Sequence, residues 1–551
     1  MRNTLAGTTS PYLAMHADDP VAWQTWSSDT LGCARSEGRL ILVSSGFFAC
    51  HWCHVLQQES FRDPAFARLL NAAFMPIKVD REAEPALDAE LRRAMQAVSG
   101  RAGWPLNLVL TPDGDPLYGF VYAPRPELMA RLQRLRDLWQ AKPDRLRTLA
   151  RTASDELRPM PAPSSPMPPA EARALLREAL LAEADPLAGG FGHGAKFPHA
   201  PRLLAMLRLI EQQRDDGLEG LLLATLEAMA RGGLRDQLGG GFFRYTIDPD
   251  WQLPHFEQML IDQVLLARVY LRAGRLFGRS DLGAVGHELI QVILRDFSRP
   301  EGGFVAAISA LDPMGVEGGG YLWTEEALAA VLDGPLLDAA RRWTWVGHET
   351  WGPGRLPLRP GGGALDRQAI ARLLATRPRP AHPRDEQAPF AANGQLLATL
   401  AEACQQGLAP ACDAAVAQAR HLRRLPLQSI EELQAAVSLA GGVARWGQAQ
   451  GSEDDLARAR ALLRAAAQDF GGEHGWQLSR RPLPPWSGRT VELADDEYPS
   501  ASAQWTELAD ELGVEPVQPG GIGIGIEARR APLQHATALA RMATAPPRQR
   551  E

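Results

Sequence analysis

Four consecutive apolar residues, Leu40 to Val43, inside the run Arg39–Ser45 have the pattern of a short strand buried on both faces. Pro64–Asn71 spaces its apolar residues at helical intervals and places proline in the first turn, where a missing N–H is tolerated. Phe74–Asp80 reads as a second strand and Glu84–Val98 as a second helix. Asn107–Thr111 and Leu117–Tyr122 flank Pro112-Asp113-Gly114, a turn signal, and so predict a hairpin. Strand, helix, strand makes a parallel βαβ unit, and the hairpin adds antiparallel strands. Residues 1–125 are therefore expected to form one α/β domain.

Beyond that domain the pattern changes. Glu127–Arg158 reads as one long, polar-faced helix, followed by Pro159–Pro169, in which six of eleven residues are proline. Residues 126–169 are expected to be a connecting helix and a stiff linker. From Ala170 onward strand patterns nearly vanish and helical stretches alternate with loops; in one stretch Leu260, Val264, Ala267 and Leu271 share a face. Glycine beside an aromatic recurs at helix boundaries, in Gly189–Gly192, Gly239–Phe242, Gly302–Phe304 and Gly318–Tyr321. Residues 170–545 are expected to be an all-α array of helical hairpins, closed into a toroid rather than left as an open solenoid.

Composition sets bounds on this picture. The chain has 551 residues, enough for two or more cores, and 45% are apolar. A net charge of −7 gives no electrostatic case for nucleic acid or an anionic membrane surface, and neither is expected as a partner. No segment has the length of a membrane span or the apolar core of a signal peptide, so a cytoplasmic setting is expected. Only Lys78, Lys142 and Lys196 are lysine among 58 basic residues. A lysine kept in so arginine-biased a chain points to a place where ammonium and guanidinium are not interchangeable.

Five cysteines, Cys33, Cys50, Cys53, Cys404 and Cys412, are too few for a disulfide scaffold. Cys404 and Cys412 fall in helical segments and are expected to be small core residues. Cys50-His51-Trp52-Cys53 follows a buried strand and opens a helix. There the helix dipole and unpaired N–H groups favour thiolate, and a protonated His51 acts in the same direction. Cys50 is expected to be the exposed attacking thiol and Cys53, one turn on, the resolving one. Three other readings of the same residues stay open: a c-type haem pattern ending at His54, a zinc site through Cys50, His51, Cys53 and His54, and a pair of inert buried thiols. No metal or cofactor is assigned. Trp104-Pro105 precedes a strand, where a proline marks a turn or a cis bond; in thioredoxin-like folds such a loop sits beside the cysteines, and with His51 and Trp52 it is taken as support for the redox site.

Ser10–Leu13, His16-Ala17, Asp19–Val21, Cys50–Val55, Glu59–Phe61, Ile77–Glu82, Gly103–Leu106 and Leu110–Asp113 together resemble the thioredoxin-domain family typified by spermatogenesis-associated protein 20. That resemblance implies a thioredoxin-like domain joined to an (α/α)6 toroid of the six-hairpin glycosidase type. In the second half, Gly189–Gly192 with Lys196-Phe-Pro198, and Gly239–Phe242 with Arg244 to Asp262, resemble further motifs of the family. The chain departs from the family pattern at Gln258, Ile261-Asp262-Gln263, Ser309–Asp312, Ala392-Asn393-Gly394 and Pro499–Ser502, so the toroid is the diverged half.

Sugar-active toroids place carboxylates, histidines and aromatic platforms around a central funnel. The densest such grouping here is Asp236, Arg244, Tyr245, Asp248, Trp251, His255, Glu257 and Asp262, with His193 and Lys196 from the preceding loop. The expected function is thiol–disulfide exchange or redox sensing at the cysteines, with a protein disulfide or a reductant as partner, fused to a sugar-binding toroid. The alternatives are a glycosidase- or epimerase-like enzyme with a structural thioredoxin-like domain, and a scaffold without catalysis.

Overall fold

The computed structural model describes residues 1–158, 167–343, 351, 354–358, 367–377, 382–426, 429–472, 475–490, 493–515, 529 and 531–544. Residues 159–166 of the expected proline-rich linker lie outside them. The chain divides into two compact units: residues 1–160 with 385–387 and 477–490, and the remainder.

The first unit opens with α1 (Pro11–Met15) and α2 (Ser28–Glu37), then β1 (Leu40–Gly46), α3 (His51–Leu56), α4 (Pro64–Ala73), β2 (Phe74–Asp80), α5 (Pro85–Ser99), β3 (Leu106–Leu110) and β4 (Pro116–Phe120). The sheet order is β2-β1-β3-β4, with β1 parallel to β2 and the other pairs antiparallel. Leu40 and Leu42 of β1 pack on one face with Phe61, Phe66 and Leu70; Ile41 and Val43 pack on the other with Leu87, Leu91 and Met95. Both faces are covered, which explains the unbroken apolar run in β1.

The single helix expected over 127–158 is two helices, α6 (Arg125–Ala141) and α7 (Pro143–Leu157). Pro143 cannot donate to the preceding turn and its ring clashes with the helix behind it, so the chain breaks at Lys142, with φ −144° and ψ 53°. Neither helix is a mere connector. Leu128 and Leu132 of α6 lie in one core of the domain and Leu157 of α7 in the other. Trp486, from a segment expected in the toroid, is fully buried in the second core with Leu157.

The second unit contains α8 (Pro169–Ala182), α9 (Ala200–Gln212), α10 (Asp216–Arg231), three two-residue strands β5 (Tyr245–Thr246), β6 (Pro254–His255) and β7 (Gln258–Met259), α11 (Leu260–Leu276), α12 (Ser280–Val292), β8 (Ala307–Ile308), α13 (Glu325–Val331), α14 (Gly334–Trp343), α15 (Arg367–Thr376), α16 (Phe390–Gln405), α17 (Ala409–Arg423), α18 (Leu433–Gln450), α19 (Glu453–Phe470), α20 (Ala501–Leu512) and α21 (Ala536–Ala543). Among the described residues, α9, α11, α16, α18, α20 and α21 each pack against the next, and α21 packs back on α9. This closed ring of six inner helices, with α8, α10, α12, α17 and α19 outside it, is an (α/α)6 toroid. Leu260, Val264, Ala267 and Leu271 are all buried on α11.

The crossing of α16 and α18 depends on two glycines. A Cβ on Gly394 would lie 2.5 Å from the backbone of Ser438, and one on Gly442 would overlap the carbonyl of Gly394. Only bare backbone permits so close an approach. Cys404 and Cys412 are not the separate core residues expected. They are half-buried and joined by a disulfide with Cα atoms 4.7 Å apart, because the turn between α16 and α17 brings the two helix ends together. No described helix is long and apolar enough to cross a membrane.

Candidate functional site

Cys50 is the N-cap of α3 and is joined by a disulfide to Cys53, with Cα atoms 5.3 Å apart. Its backbone is extended and its Sγ accepts the Cys53 N–H at 3.1 Å. A charge on this sulfur would therefore meet the first free donors of a helix. The exposure expected for Cys50 is not found: both cysteines are only 2% exposed. The Cys50 sulfur is bonded to Cys53 and turned in over the helix end. The Trp104–Pro105 bond is cis. The Trp104 ring stands edge-on to Phe47 at 5.9 Å, three residues before Cys50, and its Nε1 donates to Asp88 at 3.0 Å. Arg81 lies over both rings, 4.4 Å from Phe47 and 4.3 Å from Trp104. Trp52 packs on Tyr122 at 4.8 Å and on His51 at 5.1 Å. His54, a ligand in the haem and zinc readings, points its Nε2 at the Phe48 carbonyl, 2.8 Å away.

Behind the disulfide lies a group of buried polar residues that the sequence reading did not place in the site. The Tyr12 hydroxyl and the Cys53 sulfur both abut Gly46, where an added Cβ would be 2.8 Å from the sulfur and would overlap the hydroxyl. Tyr12 is fully buried and its hydroxyl has no hydrogen-bond partner among the described residues. Burial, then the charges of Asp80, Asp19 and Asp88, hold its pKa well above the usual phenol value, so it stays a donor. Lys78, opposite Ser44 in the β1–β2 register, donates to the Ser44 hydroxyl at 3.0 Å and lies 5.0 Å over the Tyr12 ring and 4.6 Å over Phe61. Burial pushes its pKa down to about 7, against the pull of Asp19. Asp19 holds His16 at 2.6 Å, Trp23 at 3.0 Å and Gln57 at 3.0 Å. Asp80 accepts from Ser10 at 2.5 Å and Gln387 at 2.7 Å. Burial and then the charge of Asp80 raise Asp385 to about 8. The retained Lys78 was one legible sign of this cluster, and Ser10, Tyr12, His16, Asp19 and Asp80 all fall in segments that carry the family resemblance.

In the toroid, the residues grouped by sequence separate. Arg244, Tyr245, His255 and Glu257 come together: Arg244 lies 3.5 Å from Glu257 and pairs with Glu497, and the Tyr245 ring is 5.2 Å from His255. His255 bonds Glu317 through Nδ1; against the cost of burial, Glu317 and then Glu257 raise its pKa. Phe197 stacks on Tyr245 at 4.7 Å with planes 6° apart. Asp262 is half-buried in the first turn of α11.

The others serve the local fold. Asp236 pairs with Arg377. Asp248 accepts the backbone N–H groups of Asp250, Gln252 and Leu253 and closes a turn. Trp251 is buried in the left-handed region, φ 61°, with Nε1 donating to the Ala188 carbonyl at 2.9 Å. Lys196 is buried on Asp185 at 2.8 Å, and His193, with its side chain 81% exposed, lies 3.9 Å from the same carboxylate.

None of these residues lines the cavity of about 140 Å³ at the centre of the ring. All six inner helices contribute to that cavity instead, through Arg208, Arg268, Arg272, Glu402, Arg445, Glu507 and Thr537 among others. Each helix supplies only one or two of these groups, so no local stretch of sequence displays them together.

The fold and the cysteine site define a thioredoxin-like domain followed by a helical toroid, and residues 2–158 match the family described as "Protein of unknown function, DUF255". Over 361 residues the chain is 36% identical to spermatogenesis-associated protein 20 of Homo sapiens, covering 61% of this chain and 45% of that protein; the Rattus norvegicus protein of the same name is 35% identical over 362 residues. The chain thus spans about half the length of the curated relatives it matches. Among solved structures, cellobiose 2-epimerase from Spirochaeta thermophila has a TM-score of 0.41 at 13% identity, covering 68% of this chain and 83% of that one. A structure described as DsbH oxidoreductase has a TM-score of 0.18 at 15% identity, covering 21% of this chain and 85% of that one.

Proposed function

We propose that Cys50 and Cys53 form a redox-active pair that exchanges with thiols and disulfides of a partner. The observation that carries the reading is the capping geometry: the Cys50 sulfur accepts the Cys53 N–H at the N-terminus of α3. In the oxidised form an incoming thiolate attacks Cys50 Sγ, a mixed disulfide forms, and the electron pair of the broken bond leaves on Cys53. A second thiolate of the partner then attacks the partner's sulfur in that mixed disulfide, releasing Cys50 as thiolate. The partner dithiol is oxidised by two electrons and the cysteine pair reduced by two; the reverse sequence reduces a partner disulfide. A cytoplasmic setting belongs to the same proposal. Equilibration in graded glutathione buffers, acid quenching and mass mapping tests it. Reversible two-electron titration of the Cys50–Cys53 peptide supports exchange, and a disulfide unchanged across the whole range refutes it.

A second reading concerns the toroid, which we read as a carbohydrate-binding body. The cluster of Arg244, Tyr245, His255, Glu257 and Glu317 favours it, because acid, base and a stacked Phe197–Tyr245 aromatic pair lie together. Thermal-shift titration with mono- and disaccharides tests this reading against Glu257→Gln. A sugar-dependent shift lost in the variant supports it, and no shift with any sugar refutes it.

A further inference from the structure

The central cavity of the toroid is lined by more arginines than carboxylates, and Glu211 and Glu511, outside its lining, bring the charges level without giving every arginine a carboxylate of its own. Arg208 from α9, Arg268 and Arg272 from α11 and Arg445 from α18 line it, against Glu402 from α16 and Glu507 from α20. Arg208 donates to Glu507 at 2.8 Å and to the Thr544 hydroxyl at 2.7 Å. Arg272 takes both oxygens of Glu402, at 3.0 and 2.8 Å. Arg445 is held by Glu511, at 2.7 and 3.0 Å, and Glu211 lies within electrostatic range of Arg272.

Arg268 is left with the remainder. It is buried and donates to the side chain and carbonyl of Gln395 at 3.2 and 2.9 Å. Among the described residues its Nε has no hydrogen bond, and the carboxylate it faces at 3.6 Å is the Glu402 already held by Arg272. Burial first, then the Arg272 and Arg445 charges, overcome Glu402 and lower its pKa to about 10. A guanidinium in that position gains most from an anion, which arginine binds through paired N–H groups. Gln395 donates to Gln504 at 2.7 Å and to Ser438 at 3.1 Å, Gln504 donates to the Pro499 carbonyl at 2.7 Å and the Thr537 hydroxyl bonds Asp495, and the remaining hydrogen-bonding capacity of these three side chains lies on the same wall. The volume of about 140 Å³ is about ten times what one water requires, room for a compact solute.

From this we infer that the centre of the ring is a binding site for a small hydroxylated anion, its charged group held by Arg268 with Arg272 and Arg445, and its hydroxyls by Gln395, Gln504 and Thr537. The site shares no residue with the His255–Glu257 cluster and does not rest on the carbohydrate reading of that cluster.

Calorimetric titration of the full chain with glucose 6-phosphate, gluconate, inorganic phosphate and glucose tests the inference. Glucose 6-phosphate or gluconate should bind, and glucose should not. Arg268→Gln should weaken the binding anion by about tenfold, the value of one charge-assisted contact. Arg445→Gln, at a less buried position, should do the same if Arg268→Gln does not fold. Thr537→Val should weaken the hydroxylated anion and leave inorganic phosphate unchanged. The inference is overturned if none of the anions binds, if glucose binds as tightly as its phosphate, if inorganic phosphate alone binds, or if binding survives both arginine substitutions. A loss of stability without any anion-dependent heat makes the arginines a structural plug and equally overturns it.

Discussion

The hydroxyl of Tyr12 and the sulfur of Cys53 converge on one face of Gly46, in a space that no side chain at position 46 could share. While Cys53 is in the disulfide, that hydroxyl stays buried without a hydrogen bond. A disulfide sulfur is a poor acceptor; a thiolate is a good one. On reduction the Cys53 sulfur is expected to become the acceptor that the hydroxyl lacks, which would make Tyr12 a positioning residue for it.

Tyr12→Phe should split the two redox states. Removing an unsatisfied buried hydroxyl should leave the oxidised protein as stable as before or up to about 1 kcal/mol more so. The reduced protein should lose the hydroxyl–sulfur hydrogen bond, worth about 0.5–1.5 kcal/mol. Denaturant unfolding of both forms gives the two numbers, and the thiol pKa of Cys53 should rise in the variant. Equal effects on both states would reduce Tyr12 to an ordinary core residue.

Lys78 makes a pH prediction. Its folded pKa of about 7 lies below the unfolded value of 10.5, so between these limits the unfolded chain binds more protons. Stability should rise with pH through this window, by up to about 1.4 kcal/mol per pH unit. Below pH 7 both states carry the proton and the burial penalty is constant. Lys78→Met should flatten the slope between pH 7.5 and 9.5, with its largest stabilisation relative to the parent at neutral pH. Urea unfolding at three pH values measures it. Above pH 10 the raised pKa of Tyr12 acts in the opposite direction, because only the unfolded chain then loses the phenol proton.

Gly394→Ala should force α16 away from α18, since the new methyl would meet the Ser438 backbone. The expected loss is about 1–3 kcal/mol, with the toroid unfolding first. Domain-resolved hydrogen exchange should show faster exchange in α16 and α18 and unchanged rates in β1 and β2.

What the sequence made legible follows from how local each signal is. β1, β2 and the hairpin were readable because apolar runs and turn residues report on their own neighbourhood, and Pro105 announced its turn by the N–H it lacks. Pro143 carries a similar signal inside a helical pattern, and it breaks the chain at Lys142 despite the long run of good helix formers on either side. The partnership of Tyr12, Gly46 and Cys53 joins three separate stretches and was invisible until the strands were paired. In the toroid, closeness along the chain misled. Asp236, Asp248 and Trp251 lie near His255 in sequence but hold turns and loops, whereas Glu317, far away in sequence, is its partner. The arginines of the central cavity were readable only as charges interrupting apolar helices, Arg268 and Arg272 of α11 being the plainest pair.

The redox account is tested most directly by single-cysteine trapping in a Cys33→Ser background, which removes the exposed thiol. Cys53→Ser and Cys50→Ser variants are each treated with Ellman's reagent, and the adducts are located by mass mapping. Cys50, at the start of α3, should react rapidly in the first variant, and Cys53 in the second should react more slowly by at least about tenfold. Equal rates at the two positions, faster reaction at Cys53, or no reaction at either would contradict the assignment of Cys50 as the attacking sulfur.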